Sequence, residues 1–150
     1  MRFILVFIFT AGMSLVAHAQ SAPQAVPPTM AQALQLLALD SITNALCDAG
    51  QKCAPTTAQE KANPPLSTAD AELVIRRAYL SAYASRCGLD WQKLNYLPMM
   101  RYLRTTAKLN ERQMAIVGTM HGIVQGIGEQ VQGCDDGMRA SLAKTLPFNP

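Results

Sequence analysis

Apolar residues recur along most of the chain at the three- and four-residue spacing of amphipathic helices. Thr29 and Gln32 form a capping-box pattern at the start of the first such run. We predict a first helix of about 18 residues that ends near Cys47, with Gly50 as its stop signal. The proline-containing segment 50–66 then reads as a long mobile loop.

A second helix is predicted to begin after Ser67, which stands three residues before Asp70 in an N-cap pattern. Gly88 and Leu89 supply the left-handed residue and the apolar contact of a Schellman-type ending. The residues expected on its apolar face are Leu73, Leu80, Ala84 and Cys87.

A third helix is predicted to begin at Trp91, with Asp90 as its cap. Pro98 falls inside this helix, where a proline removes one hydrogen bond and clashes with the preceding turn. The alternatives are one kinked helix and two short ones, of which we favour the kinked helix. The apolar register contains Leu94, Leu97, Tyr102 and Leu103.

A fourth helix is predicted from Asn110 to about Gln132, opened by a reciprocal cap between Asn110 and Gln113. Leu109 and Met114 have the spacing of a hydrophobic staple across this cap. The apolar stripe expected to face the core comprises Ile116, Val117, Met120, Ile123, Val124, Ile127, Val131 and Cys134.

A short fifth helix, 137–145, is predicted after Asp135 and Asp136, whose charges suit a helix N-terminus. No segment alternates with period two for long enough to predict a strand. We therefore predict an all-α protein: one helical domain, 29–150, formed by four main helices and a short C-terminal helix as a small bundle tied by disulfides.

The first 19 residues have the pattern of a secretory signal. Arg2 precedes an apolar run too short to span a bilayer comfortably, and small residues, Ala17 and Ala19, precede the expected cleavage after Ala19. Residues 20–28 then form a tether rich in proline and alanine. We expect an exported protein, periplasmic or secreted, with no integral membrane segment after cleavage.

The sequence contains four cysteines, and an even number in an oxidising compartment predicts two disulfides. If the second, third and fourth helices run up, down and up, the chain places Cys87 and Cys134 at the same end of the bundle. We therefore predict the pairs Cys87–Cys134 and Cys47–Cys53. A crossover after the first helix would leave other pairings open. The spacing does not favour a zinc site.

Three glycines, Gly118, Gly122 and Gly126, repeat at four-residue intervals in the fourth helix. Each glycine costs up to about 1 kcal/mol in a helix interior, so the repeat predicts close approach of another backbone. That backbone belongs either to a neighbouring helix of the bundle, which we favour, or to a partner protein or second copy.

Four basic residues of the third helix and its end fall within one broad sector: Lys93, Arg101, Arg104 and Lys108. They form either a solvated surface, which the formal net charge of +3 favours, or a face for an acidic protein or weak contact with anionic envelope components. No nucleic-acid-binding motif is present.

His121, Met120 and Met114 suggest a small copper or haem carrier, with Met99 and Met100 as further soft donors. Met114 and His121 stand two helical turns apart, about 10 Å, so they cannot share an ion unless another helix contributes. We favour a structural role for all of these residues and expect no cofactor.

The sequence lacks the motifs of common enzyme classes, so an enzyme is not expected. Glu72 and Glu129 are the carboxylates left without a capping role, and a cell-envelope hydrolase would need them, or a dyad with His121, in one pocket. The favoured function is an exported, non-enzymatic helical module that binds a protein partner or itself. The contact residues predicted for it are Gly118, Gly122, Gly126, Lys93, Arg101, Arg104 and Lys108.

Overall fold

The computed structural model describes residues 29–47, 50–130 and 133–150. The predicted signal, 1–19, and tether, 20–28, lie outside these residues. The described chain is all-α, as predicted, and contains no strand beyond one isolated bridge between Leu46 and Lys52. Its helices are α1 (Met30–Asp40), α2 (Ala58–Ala62), α3 (Thr68–Arg86), α4 (Leu97–Thr105), α5 (Glu111–Gly128) and α6 (Asp136–Thr145).

The helices α3 and α5 form the centre of the bundle and run parallel to each other. Gln113, near the start of α5, donates a hydrogen bond to the carbonyl of Pro65, just before α3. Near the other end, Ser81 of α3 bonds to His121 of α5. Tyr96, just before α4, lies next to Gly118, whereas Arg104, near its end, pairs with Glu111 at the start of α5. The helix α4 therefore runs antiparallel to α5, as the up-down-up prediction requires.

Two disulfides, Cys47–Cys53 and Cys87–Cys134, tie the fold, and they match the predicted pairing. Cys87 caps the end of α3, and Cys134 lies just before α6. The second bridge therefore fastens α6 to the end of the central helix pair.

The N-caps predicted for α1, α3 and α5 are present, and Asp135, which was predicted only to favour the helix start by its charge, caps α6. The side chains of Thr29, Ser67, Asn110 and Asp135 accept hydrogen bonds from backbone N–H groups of the first turns of α1, α3, α5 and α6. The Schellman ending of α3 is also present, because the N–H of Leu89 bonds to the carbonyl of Ala84, with Gly88 at a φ of 64°.

Two helices end earlier than predicted. The first stops at Asp40 and is followed by a 3₁₀ turn, Ile42–Asn44. Thr56 from the following segment donates a hydrogen bond to the carbonyl of Leu39. In addition, the polar and β-branched residues that follow Asp40 have low helix propensity. The fourth predicted helix, α5, stops at Gly128, where a glycine weakens the helix. Val131 and Gln132 lie outside the described residues.

The segment 50–66 was expected to be an uninterrupted loop, and that expectation is wrong about its secondary structure. It contains α2, opened by a capping box between Thr57 and Glu60. Arg112 of α5 forms a salt bridge with Glu60 at 2.6 Å and bonds to the carbonyl of Ala54 at 2.7 Å. This segment is therefore attached to the central pair along much of its length.

The predicted third helix is continuous across Pro98, but it accommodates the proline by widening. Residues Gln92–Tyr96 form a π-helical turn that runs directly into α4. Asp90 caps this turn by accepting the N–H of Lys93 at 3.1 Å. A π turn inserts one extra residue, which re-aims the side chains around it. Asn95 is thereby placed in the interior.

The core is formed where α1, α3 and α5 meet, and α3 supplies mainly small side chains to it. The predicted α3 face is only partly buried at its leucines, whereas Ala71, Val74, Ala78 and Ala82 are buried. Half of the eight residues predicted for the α5 stripe are buried: Ile116, Val117, Met120 and Val124. Ile123 is partly buried, Ile127 is 49% exposed and Cys134, beyond the helix, is exposed, whereas His121 is buried. No described helix has the length and apolar composition needed to cross a bilayer.

Candidate functional site

An open groove of about 430 Å³ lies between α4, α5 and the segment 41–46. It exists because α5 presents small side chains here, so α4 and α5 leave space between them. The groove is lined by Tyr96, Met100 and Arg104 of α4 and its π turn, by Glu111, Met114, Ala115, Gly118 and Thr119 of α5, and by Ser41, Asn44, Ala45 and Leu46.

The groove combines apolar side chains with a charged boundary. Met100 and Met114 contribute thioether side chains, which adapt to different apolar ligands. Arg104 and Glu111 form a bidentate salt bridge in which the second bond, Nη2 to Oε2, measures 3.2 Å. Both side chains are about half exposed, so this pair contributes little to stability.

One edge of the groove is a small disulfide-closed hairpin, of which residues 45–47 and 50–53 are described. Inside it, the N–H of Cys47 donates to the carbonyl of Gln51 at 2.7 Å, and the N–H of Cys53 donates to Ala45 at 3.0 Å. Leu46 projects from this hairpin with 64% of its surface exposed. The disulfide therefore fixes a short backbone segment that presents an apolar side chain at the groove.

One residue of the predicted basic sector, Arg104, reaches the groove. Lys93, Arg101, Arg104 and Lys108 are all exposed. Arg104 lines the groove, and Arg101 stands three residues earlier on the adjoining strip of the helix. Leu97, four residues before Arg101, is 59% exposed.

Behind the groove, a buried polar network joins three elements of the bundle. Asn95 of the π turn accepts a hydrogen bond from the Arg77 guanidinium and donates to the Arg77 carbonyl at 2.7 Å and to Ser81 Oγ at 2.8 Å. Ser81 Oγ lies 3.1 Å from His121 Nε2. Arg77 also donates to the carbonyl of Leu146.

His121 is enclosed by aromatic rings as well as by this network. Trp91 stacks on it with ring centroids 5.7 Å apart, and Tyr96 packs at 4.6 Å. Burial lowers the pKa of His121 from 6.5 to about 4, because a charged imidazolium would lose its hydration. His121 is therefore neutral at pH 7. The Tyr96 ring also lines the groove, so it separates the groove from the network.

The Ser81–His121 pair resembles a nucleophile with its base only in residue type. Both side chains are buried, with Ser81 fully inaccessible, so no external substrate reaches the hydroxyl. Asn95 donates to Ser81 Oγ, which leaves the hydroxyl hydrogen to be donated to neutral His121. The arrangement is suited to holding α3, α4 and α5 together.

The glycine stripe is not brought against another helix. A Cβ at Gly122 or Gly126 would meet nothing within 4 Å, and at Gly118 it would meet only the Tyr96 hydroxyl at 3.6 Å. The expected close approach within the bundle occurs instead at Gly128, where a Cβ would lie 2.7 Å from the Cβ of Ala82. Of the three predicted glycines, only Gly118 lines the groove.

Two residues of the carrier alternative, Met120 and His121, lie in the packed interior, and the third, Met114, lies at the floor of the groove. Met114, Met120 and His121 are all buried, and Nε2 of His121 is already bonded to Ser81. Among the described residues, no cluster of three or more His, Cys, Asp and Glu side chains could hold a metal ion.

The carboxylates of the hydrolase alternative lie apart. Glu72 lines a separate shallow groove with Arg76, whereas Glu129 caps the far end of α5. Because Gly128 abuts Ala82, Glu72 is ten residues along α3 from that level, or about 15 Å. This exceeds the separation of glycosidase carboxylates.

Sequence reasoning missed Tyr96, Leu46 and the network residues Arg77, Asn95 and Ser81. Tyr96 and Asn95 take their positions from the π turn, which no local sequence pattern predicts. Pro98 indicated only that the helix could not be regular at this point. A polar residue in an otherwise apolar register, such as Asn95, was the available signal.

Comparison of the chain with known protein families, with curated proteins and with solved structures gives no match.

Proposed function

We propose that this protein is a non-enzymatic interaction module of an oxidising compartment outside the cytoplasm, and that it binds a protein partner through the groove between α4 and α5. The observation that carries the proposal is the groove itself: an open concavity of about 430 Å³ with methionines in its lining and the disulfide-tied Leu46 at its edge. Its volume is within the range of ligand-binding clefts.

Two further features support binding rather than catalysis. The groove contains one charged pair, Arg104 and Glu111, in which each charge satisfies the other. The groups with catalytic potential, Ser81 and His121, are buried behind the Tyr96 ring. The compartment is inferred from the cysteines, all four of which are in disulfides.

The test uses a library of random twelve-residue peptides displayed on phage and selected against the oxidised protein. Gly118→Leu places a side chain in the groove, whereas Gly122→Leu, one turn later on α5, does not touch it. We expect the selected peptides to bind the wild type and Gly122→Leu equally and Gly118→Leu at least tenfold more weakly. Equal binding to all three proteins would refute the groove as the binding site.

The partner in the groove could also be a second copy of this chain. Because Gly118 lines the groove, the same Gly118→Leu variant tests this form of the proposal. Sedimentation of the oxidised wild type over a range of concentrations reports its mass. A dimer that dissociates in Gly118→Leu and persists in Gly122→Leu would identify a second copy as the occupant of the groove.

A further inference from the structure

Basic residues outnumber carboxylates in α4 and the segments that flank it. Between Asp90 and Glu111 the chain carries four basic residues and no carboxylate. Arg104 is neutralised by Glu111. Lys93, Arg101 and Lys108 are exposed and form no salt bridge with any residue in the described ranges.

Arg101 adjoins the groove, and Lys93 and Leu97 precede it at four-residue intervals. Met100 and Arg104 line the groove, and Arg101 is the residue immediately after Met100. Leu97 and Arg101 are one turn apart on α4, so an exposed leucine and a free guanidinium adjoin the same edge. A ligand seated in the groove would extend over both.

From this placement we infer that the partner is an acidic amphipathic peptide segment, with an apolar side chain in the groove and Asp or Glu side chains on Arg101 and Lys93. The inference rests on the proposed function of the groove. We call the three cations without a salt bridge among the described residues, Lys93, Arg101 and Lys108, the basic edge. Arg101 can bind a carboxylate bidentately, and attraction between a carboxylate partner and the basic edge also accelerates association.

The shape of the site favours a peptide over an anionic membrane. The apolar side chains Met100 and Met114 lie in a concavity between two helices, with Ala45 and Leu46 of the disulfide-closed hairpin at one edge. A lipid surface would contact the convex outer face and leave this concavity empty. An inserted side chain, by contrast, buries apolar area in the groove while its neighbours reach the cations.

The first experiment determines the sequences of the peptides that the phage selection enriches. Only peptides whose binding is weakened by Gly118→Leu are considered, and their charged residues are compared. We expect an apolar residue flanked by Asp or Glu three or four positions away. Enrichment of neutral or basic flanks, with dependence on Gly118 retained, would overturn the acidic partner and leave the proposed groove intact. Loss of dependence on Gly118 would overturn the groove itself.

The second experiment titrates the strongest selected peptide and its Glu→Gln counterpart. Against Lys93→Glu/Arg101→Glu, the Kd of the acidic peptide should rise at least tenfold, while the neutral peptide is unaffected. Arg139→Glu/Lys144→Glu, which reverses two exposed basic residues of α6, is the control matched in charge and should change either Kd less than twofold. If the Kd of the acidic peptide rises equally in the control, the effect comes from the net charge of the protein, which would contradict a local binding site.

Vesicles of phosphatidylcholine with phosphatidylglycerol distinguish the membrane alternative. We expect no co-sedimentation of the protein at physiological salt. If the wild type binds these vesicles, and Lys93→Glu/Arg101→Glu abolishes that binding without affecting peptide binding, the cations of the basic edge bind lipid rather than the peptide.

Discussion

The backbone carbonyl of Leu94 accepts a hydrogen bond from the N–H of Phe148, with 2.8 Å between nitrogen and oxygen. Pro98, four residues after Leu94, has no N–H to donate to that carbonyl, so the C-terminal tail provides a donor there. Arg77 holds the same tail, since it donates to Leu146 and its guanidinium carbon lies 5.1 Å from the centre of the Phe148 ring. The tail is therefore part of the packing around the π turn.

Asn95 should be the most sensitive polar residue of this assembly. Asn95→Ala removes the bonds to Arg77 and Ser81 and leaves buried polar groups without partners, at a cost of about 2–4 kcal/mol in the free energy of unfolding. Gln92→Ala, an exposed residue of the same π turn, should change it by less than about 0.5 kcal/mol. Urea unfolding measures both, and similar small changes would show that the network does not stabilise the fold.

The sequence predicted those features that depend on a few neighbouring residues. The caps at Thr29 and Asn110 and the ending at Gly88 were visible because each is a local hydrogen-bonding pattern. The capping box at Thr57 and Glu60 was equally visible, and attention to it would have located α2. By contrast, the burial of Asn95 depends on contacts with residues 14 and 18 positions away, which local patterns do not encode.

Stability should fall with acidification because His121 is buried in its neutral form. Its pKa is lowered from 6.5 to about 4 in the folded protein by burial. Between these pH values the unfolded chain binds a proton that the folded protein does not, so the free energy of unfolding decreases as the pH falls. The loss approaches about 3 kcal/mol at pH 4.

The variant His121→Gln isolates this contribution from other acid-sensitive groups. It keeps an acceptor for Ser81 but does not titrate, so its free energy of unfolding should vary less between pH 6.5 and 4 than that of the wild type. Glu60, whose pKa is lowered from 4.5 to about 2 chiefly by its bond to Arg112, loses its stabilisation as the pH falls from about 4.5 to 2. This loss lies mostly below the interval and is common to both proteins, so it cancels in the comparison. Parallel pH profiles for the two proteins would contradict the assignment.

Adding a methyl group to different glycines of α5 should have opposite effects on stability. Gly128→Ala places a Cβ 2.7 Å from that of Ala82, so α3 and α5 must separate, at a cost of about 1–3 kcal/mol. Gly122→Ala meets no atom within 4 Å and gains helix propensity, which should raise stability by about 0.5–1 kcal/mol. Thermal unfolding of both variants tests the pair, and destabilisation by Gly122→Ala would point to strain along the open face.

The glycine stripe also shows why the groove could be predicted only in part. Helical periodicity put Gly118, Gly122 and Gly126 on one face, but it could not say which of them another element would approach. That depends on the positions of Tyr96 and of the segment 41–46, which are fixed by the π turn and by the early end of α1. Residue type and spacing thus placed Gly118 and Arg104 among the predicted contact residues, but only the tertiary structure shows that these two line the groove.

The two disulfides should differ in what they stabilise. In the chain-entropy relation, opening Cys87–Cys134 costs about 4 kcal/mol and opening the short Cys47–Cys53 loop about 2 kcal/mol. Peptide binding should follow the reverse order, because only Cys47–Cys53 holds Leu46 at the groove. Double alanine variants, compared by Tm and by Kd for a selected peptide, test this. Greater loss of affinity in the Cys87/Cys134 variant would contradict the role of the hairpin.

Lys108 offers a separation between stability and binding. It has a φ of 60° at the turn after α4, where the N–H of Leu109 bonds to the carbonyl of Leu103. A side chain in this left-handed conformation costs about 1 kcal/mol relative to glycine. Lys108→Gly should therefore raise the free energy of unfolding by up to about 1 kcal/mol, while the loss of one cation weakens binding of an acidic peptide. Lys108→Asn is the control, because asparagine tolerates the same backbone conformation without a charge and should show the same loss of binding. If Lys108→Gly gains stability but keeps full affinity for the peptide, Lys108 does not belong to the basic edge.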